Sequence, residues 1–267
     1  MNADADLNRT TNNSYYKSRP SFLRSSWEQE NDPSSTLQSQ SERQLNPSTG
    51  TFTFLVILVQ FTDHQDRNLP SVEYFKELCD GTGSSAINPA GSIAEYFAQQ
   101  SYGKFDINCD VRDWRVTDNT EDFYAKGQRG IIGTLEGQEF FKPVLDDIEA
   151  EEIAKDPFFF FGLDGDNNGA IELIVLHSGY ASESSETDCY GRGRADRIWS
   201  QAHIGVGGGW KTTDGNFEVT GYTVASALDF NDNCSGQVGA KMGKSNRIVV
   251  LLACCCSCYW IGTSASC

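Results

Sequence analysis

Histidine is scarce in this chain. Only His64, His177 and His203 occur among 267 residues; none is followed by glutamate, and no two stand four apart. A helical zinc site of the His-Glu-x-x-His kind needs two histidines one turn apart on one face, so it is absent from this sequence. A G-x-S-x-G elbow is also missing, so no serine nucleophile is signalled. The glycines of Gly205–Gly209 lack the lysine-serine ending of a phosphate loop and read instead as a hairpin or mobile loop. Positive charge is short as well. Lys and Arg total 21 against 37 Asp and Glu, a formal net charge of −16, which argues against nucleic-acid binding by phosphate neutralisation. No apolar run approaches the roughly 20 residues of a membrane span. The first residues lack the basic start and apolar core of a signal peptide, so the expectation is either an intracellular protein or one whose true start lies upstream.

Cysteine is plentiful but uneven. Cys79, Cys109, Cys189 and Cys234 are scattered through the body, while Cys254, Cys255, Cys256, Cys258 and Cys267 crowd the end. The scattered four are compatible with two disulfides in an oxidising compartment or with buried free thiols. The terminal cluster lacks the paired spacing of a structural zinc site. Its apolar part, Ile248 to Ile261, reads as a buried helix or strand, an acylated anchor, or the product of an interrupted reading frame.

The chain divides into three parts. Residues 1–50 are polar and poor in aliphatics, so they cannot bury enough surface to offset their ordering entropy and are expected to be disordered. Asn8-Arg9-Thr10 and Asn12-Asn13-Ser14 there match the glycosylation acceptor pattern, a short motif common by chance. Residues 51–247 carry the periodic segments, and 248–267 form the aberrant tail. Thr51 to Phe61 is a β-branched and aromatic run, the signature of a central strand buried on both faces. A short helix is expected over Ser71 to Cys79. Ser92 and Glu95 form a capping box that opens another helix, ending near Gly103. Phe105, Ile107, Cys109 and Val111 then alternate with Asp106, Asn108 and Asp110, as in a half-buried strand. After a polar segment, Thr117 to Gly133, Phe141, Val144, Leu145 and Ile148 hold helical spacing, with Pro143 in the first turn. Further strands are expected at Ile171 to Leu176, Arg197 to Gln201 and Phe217 to Leu228. The fold class is therefore α+β, mixed α/β layers with a twisted mixed sheet and flanking helices.

Asp164, Asp166, Asn168 and Glu172 place oxygens at alternate positions around Gly169, matching the first nine positions of a calcium loop. Val175 stands where the bidentate glutamate belongs, so calcium competes with a plain Asp/Asn/Gly turn before a strand. His177 at a strand end, His64 after the first strand and His203 are placed to line one sheet edge, although satisfied or solvated histidines are the more ordinary outcome.

Taken together, the strand Phe54 to Asp63, the helix with Tyr74 and Phe75, the unit Ser92 to Trp114, the loop and strand Asp164 to Tyr180, and Arg197 to Ser200 resemble the immune inhibitor A family of zinc metallopeptidases, metallopeptidase family six. The resemblance covers about Thr51 to Leu228. It implies the N-terminal part of a zincin-like catalytic domain, a peptide or protein substrate, secretion and frequent calcium binding; neither nucleic acid nor membrane is expected as partner, on the charge and apolar runs described above. Zinc is expected for the family, held by two histidines of a helix whose glutamate is the general base. Arg247 to Val250 resembles the lead into that helix, but Leu251 to Cys255 supply no His or Glu. The expectation is a domain interrupted before its zinc helix and inactive as written, with no catalytic residue to assign. The alternative is a non-catalytic, calcium-binding secreted module that binds a peptide or partner.

Overall fold

The computed structural model describes residues 50–89, 91–130, 140–165, 167–203, 209–219 and 221–228. The expectations placed on the N-terminal segment, the Gly205–Gly209 loop (all but Gly209), Asp166 and the tail lie outside the described residues, as does the side chain of His203. The described residues belong to one compact unit, Pro47–Cys267.

The element order is β1 Gly50–Gln60, α1 Val72–Asp80, α2 Ile93–Gln100, β2 Phe105–Val116, α3 Glu121–Ala125, α4 Lys142–Lys155, α5 Phe159–Leu163, β3 Glu172–Tyr180, β4 Gln201–His203 and β5 Tyr222–Leu228. The strands form one five-stranded sheet in the order β2-β1-β3-β5-β4. β1 runs parallel to both β2 and β3, and β3 parallel to β5; β4 alone is antiparallel, at the edge. The sheet is thus mixed, with helices in the long connections that parallel pairing requires.

β1 is central because both its faces are apolar. Leu55, Ile57 and Val59 join Leu173, Val175 and Val224 in a core with Val144, Leu145 and Ile148 of α4 and Phe160 of α5. Phe54, Val56 and Leu58 face the other way, joining Ile174, Leu176, Ala225 and Ala227 with Phe75 and Leu78 of α1 and Ile93 of α2. A run with no polar face fits only a strand covered on both sides.

The helix–turn–strand unit follows its local chemistry. The Ser92 side chain accepts from Glu95 N, and Glu95 reaches back to Ser92 N, closing the capping box at α2. Gly103 takes a positive φ of 72° and its N–H bonds Ala98 O, so the chain leaves the helix and enters β2 within two residues. Cys79 of α1 is disulfide-bonded to Cys109 of β2, and Cys189 is disulfide-bonded too. Of the two cysteine readings, disulfides hold for these three.

The expected strands shift. β3 does not stop at Leu176 but runs to Tyr180, so His177 lies within it. Arg197 to Ser200 is no strand: Arg194–Asp196 is a short 3-10 turn, and β4 begins only at Gln201. The cause is Arg197, fully buried, whose guanidinium donates to the carbonyls of Ala181, Gly193 and Ser185 and folds the segment onto itself. Of Phe217 to Leu228 only Tyr222–Leu228 is strand; Glu218 makes isolated bridges to Ala170 and Lys211.

Candidate functional site

Two places gather polar chemistry. The first is the Asp-rich loop before β3. Asp164 is buried and its two carboxylate oxygens accept from Asn168 N at 3.0 Å and Gly169 N at 2.9 Å. Asn168 Oδ1 accepts from Ala170 N at 2.6 Å. Asn167 and Gly169 both have positive φ, 58° and 78°. Asp164 and Asn168 are therefore brought together by the turn itself, while Glu172 has already entered β3, opposite Phe54 of β1. Carboxylate and amide oxygens are the donor type a hard cation takes. The bonds described are those of a self-contained Asx turn, and among the described residues no three of His, Cys, Asp and Glu stand grouped to hold an ion.

The second place was not legible as a unit. At the C-terminal ends of β1 and β3, the strand edges deliver His64, His177 and Ser178, all with no exposed surface. The segment expected to be merely polar, Thr117 to Gly133, contributes α3, and its first residue Glu121 is wholly buried against them. The approach of Glu121 depends on Gly179: a Cβ there would stand 2.1 Å from Glu121 Oε1. Glu121 Oε1 accepts from Ile198 N at 3.1 Å, tying α3 to the segment after the 3-10 turn. His64 Nε2 stands 3.4 Å from Glu121 Oε2 and 3.7 Å from Asp63 Oδ1.

Three arginines close the cluster. Arg67 donates to Ser178 O at 2.9 Å, lies over the Tyr190 ring at 4.3 Å, and stands 4.0 Å from Asp188. Arg192 reaches His64 Nε2 at 2.9 Å, Glu121 Oε2 at 3.5 Å and Asp63 Oδ2 through its other nitrogen. Its loop is a tight turn in which Asp188 Oδ1 accepts from Tyr190 N and Arg192 N, and Cys189 in that turn is disulfide-bonded. Arg197 braces the segment from inside.

Hydrogen-bond roles follow from donor inventory. A guanidinium only donates, so His64 Nε2 is the acceptor and its proton sits on Nδ1. Nδ1–H then donates to Ser178 Oγ, 2.9 Å away, which also accepts from Phe61 N at 3.1 Å. His64 thus cannot take a proton from Ser178; the Ser–His–Glu proximity has the wrong tautomer and no access for a nucleophile. His177 Nδ1 accepts from Gly179 N at 3.2 Å, placing its proton on Nε2. Burial pushes His64 down to about 3, helped by Arg67 and opposed by Asp63. Burial likewise lowers His177 to about 4, against the pull of Glu121. Burial pushes the Glu121 carboxyl up, opposed by His177 and the Ile198 N–H. For Asp63, burial is the largest single influence and pulls upward, but His64, the Arg192 hydrogen bond and the Glu121 N–H together hold the carboxyl below its usual range. The cluster is a sealed, interlocked network of neutral imidazoles and paired charges.

His64 and His177, expected at one sheet edge, are thus in one cluster; the side chain of the third, His203, lies outside the described residues. Glu121, Arg67, Asp188 and Arg192 are the residues that sequence reading missed. The only local signal was the Thr120–Ala125 stretch, acidic at its start as helices favour. Among the described residues no helix is long and apolar enough to cross a membrane. No family model matches the chain, and no curated protein does.

Proposed function

We propose that this chain carries the sheet-bearing part of an immune inhibitor A-like zinc metallopeptidase domain, without the helix that would hold the zinc, and that as it stands it does not cleave peptides. The observation that carries this reading is a pairing. Phe54–Val59 and Glu172–His177, the two strands that bear the resemblance most strongly, are parallel neighbours at the centre of one sheet. The Ser92–Trp114 unit adds α2 and β2 on the other side of β1. The disulfides favour an oxidising compartment, in keeping with secretion.

Peptide hydrolysis of this class needs an open zinc position and a general base beside it. The chain has no His-Glu-x-x-His, and His64 and His177 are sealed from solvent. The residues present therefore do not fit the family's zinc, and no catalytic step is assigned to them. Asp164 and Asn168 keep the alternative alive, a calcium-dependent binding module, since their donors suit a hard cation.

The test is the genomic sequence past codon 247. A second frame that encodes His-Glu-x-x-Gly-His within a few tens of codons supports the reading. A locus with no such motif in any frame downstream refutes it.

A further inference from the structure

We propose that Asn168 is a self-modifying site: the turn before β3 assembles the groups that promote its deamidation, with the Gly169 backbone nitrogen as nucleophile and Asp164 as base. The inference needs neither a zinc helix nor an ion in the loop, and it does not rest on the reading above.

Asn168 is the only asparagine of this chain that is followed by glycine. Deamidation begins when the backbone nitrogen after an asparagine attacks the side-chain amide carbon, and a glycine there has no side chain to obstruct the approach. The structure adds three features. Asn168 Oδ1 accepts from Ala170 N at 2.6 Å, so the side chain is folded back across the Gly169 peptide group that carries the nucleophile. Gly169 N–H donates to Asp164 Oδ2 at 2.9 Å, so the proton that must leave the attacking nitrogen already points at a carboxylate. Asn168 is exposed, which admits the water that completes the reaction.

Each group has a role. Asp164 is buried, and its other oxygen accepts from Asn168 N at 3.0 Å, which fixes the carboxylate against the loop. A carboxylate is a weak base toward a resting amide, so its help comes as the new bond forms and the nitrogen turns acidic. The Ala170 N–H sits on the oxygen where negative charge develops, as an oxyanion donor does. The bond from Gly169 N to Asn168 Cγ forms, and the nitrogen's proton passes to Asp164. The Cγ–Nδ2 bond then breaks, and the departing nitrogen takes that proton and leaves as ammonia. Water opens the resulting cyclic imide to aspartate or isoaspartate. Water is the only co-reactant, and Asp164 ends as it began. Position 168 gains a negative charge at the entry to β3, and the isoaspartate form carries an extra methylene in the backbone of the turn.

The full chain is incubated at pH 7, then digested and read by mass spectrometry for amide-to-acid exchange at Asn168. The reference is the same chain reduced and unfolded in urea, where the Asn-Gly sequence persists without the turn. The folded chain is expected to react at least about tenfold faster than the reference; an equal or slower reaction overturns the proposal. Asp164→Asn keeps an acceptor in the turn but removes the base, and should bring the folded rate down to the reference. A rate that survives the substitution also overturns it. If Asp164→Asn does not fold, the pH profile of the wild type decides. Attack driven by solvent hydroxide speeds up about tenfold per pH unit, as the reference should, whereas attack assisted by the fixed carboxylate should rise by less than about threefold. Parallel slopes for the folded and unfolded chain refute the role of Asp164.

Discussion

Acidification between pH 7 and pH 4.5 is expected to destabilise this domain through its buried histidines. Unfolded histidine titrates near 6.5; in the folded chain His64 is held near 3 and His177 near 4. The unfolded state therefore binds more protons across this window, and stability is present above 6.5 and lost as pH falls. Two shifts of this size amount to a loss on the order of 2–5 kcal/mol by pH 4.5, the upper figure before any offset. Glu121 works in the opposite sense, because burial raises its carboxyl and so favours its protonated form in the folded state. Only three histidines occur in the chain, and ordinary carboxylates titrate mostly below the window, so the effect is attributable. Urea unfolding at pH 7, 6, 5 and 4.5 reads it directly: the midpoint should fall by about 1–2 M. His177→Gln should flatten the dependence by close to half. A midpoint that is unchanged or higher at pH 4.5 would refute the reasoning.

Other perturbations probe other parts of the account. Gly179→Ala forces a Cβ into Glu121 and should cost about 2–4 kcal/mol, seen as a lowered melting temperature; an unchanged one would contradict the close approach. Cys79→Ser/Cys109→Ser opens a bridge across 30 residues of sequence, and loop entropy puts the loss at about 3–4 kcal/mol, measured by denaturant unfolding without reductant. Asp164→Ala frees two loop N–H groups and should cost about 1–3 kcal/mol. If calcium raises the melting temperature of the wild type, that variant should abolish the rise.

How much of this was legible depended on whether the cause was local. β1, the capped α2, the Gly103 turn and β2 were readable because each rests on residues a few positions apart: a run of β-branched side chains, Ser92 with Glu95, alternation from Phe105 to Val111. That the two apolar runs share one sheet and that both faces of β1 are covered followed from the same residues; their parallel pairing comes from the structure alone. The segment from Ala181 to Ser200 was not readable. Its shape comes from Arg197 capping carbonyls up to sixteen residues away, which no period or turn signal encodes. Glu121 was hidden for a similar reason. Its burial is set by Gly179 and Ile198, 58 and 77 positions along the chain, and a glutamate in a polar stretch carries no mark of that fate. The Asp164 loop was read as two alternatives, and its internal hydrogen bonds are those of the plain Asx turn.

We propose a chain that builds the scaffold of a zinc peptidase domain but has no His-Glu-x-x-His. The most direct measurement is hydrolysis of a mixture of internally quenched peptides by the purified full chain with added zinc, with and without phenanthroline. No cleavage above the buffer rate is expected, with or without added zinc. Cleavage that phenanthroline abolishes and zinc restores would contradict it.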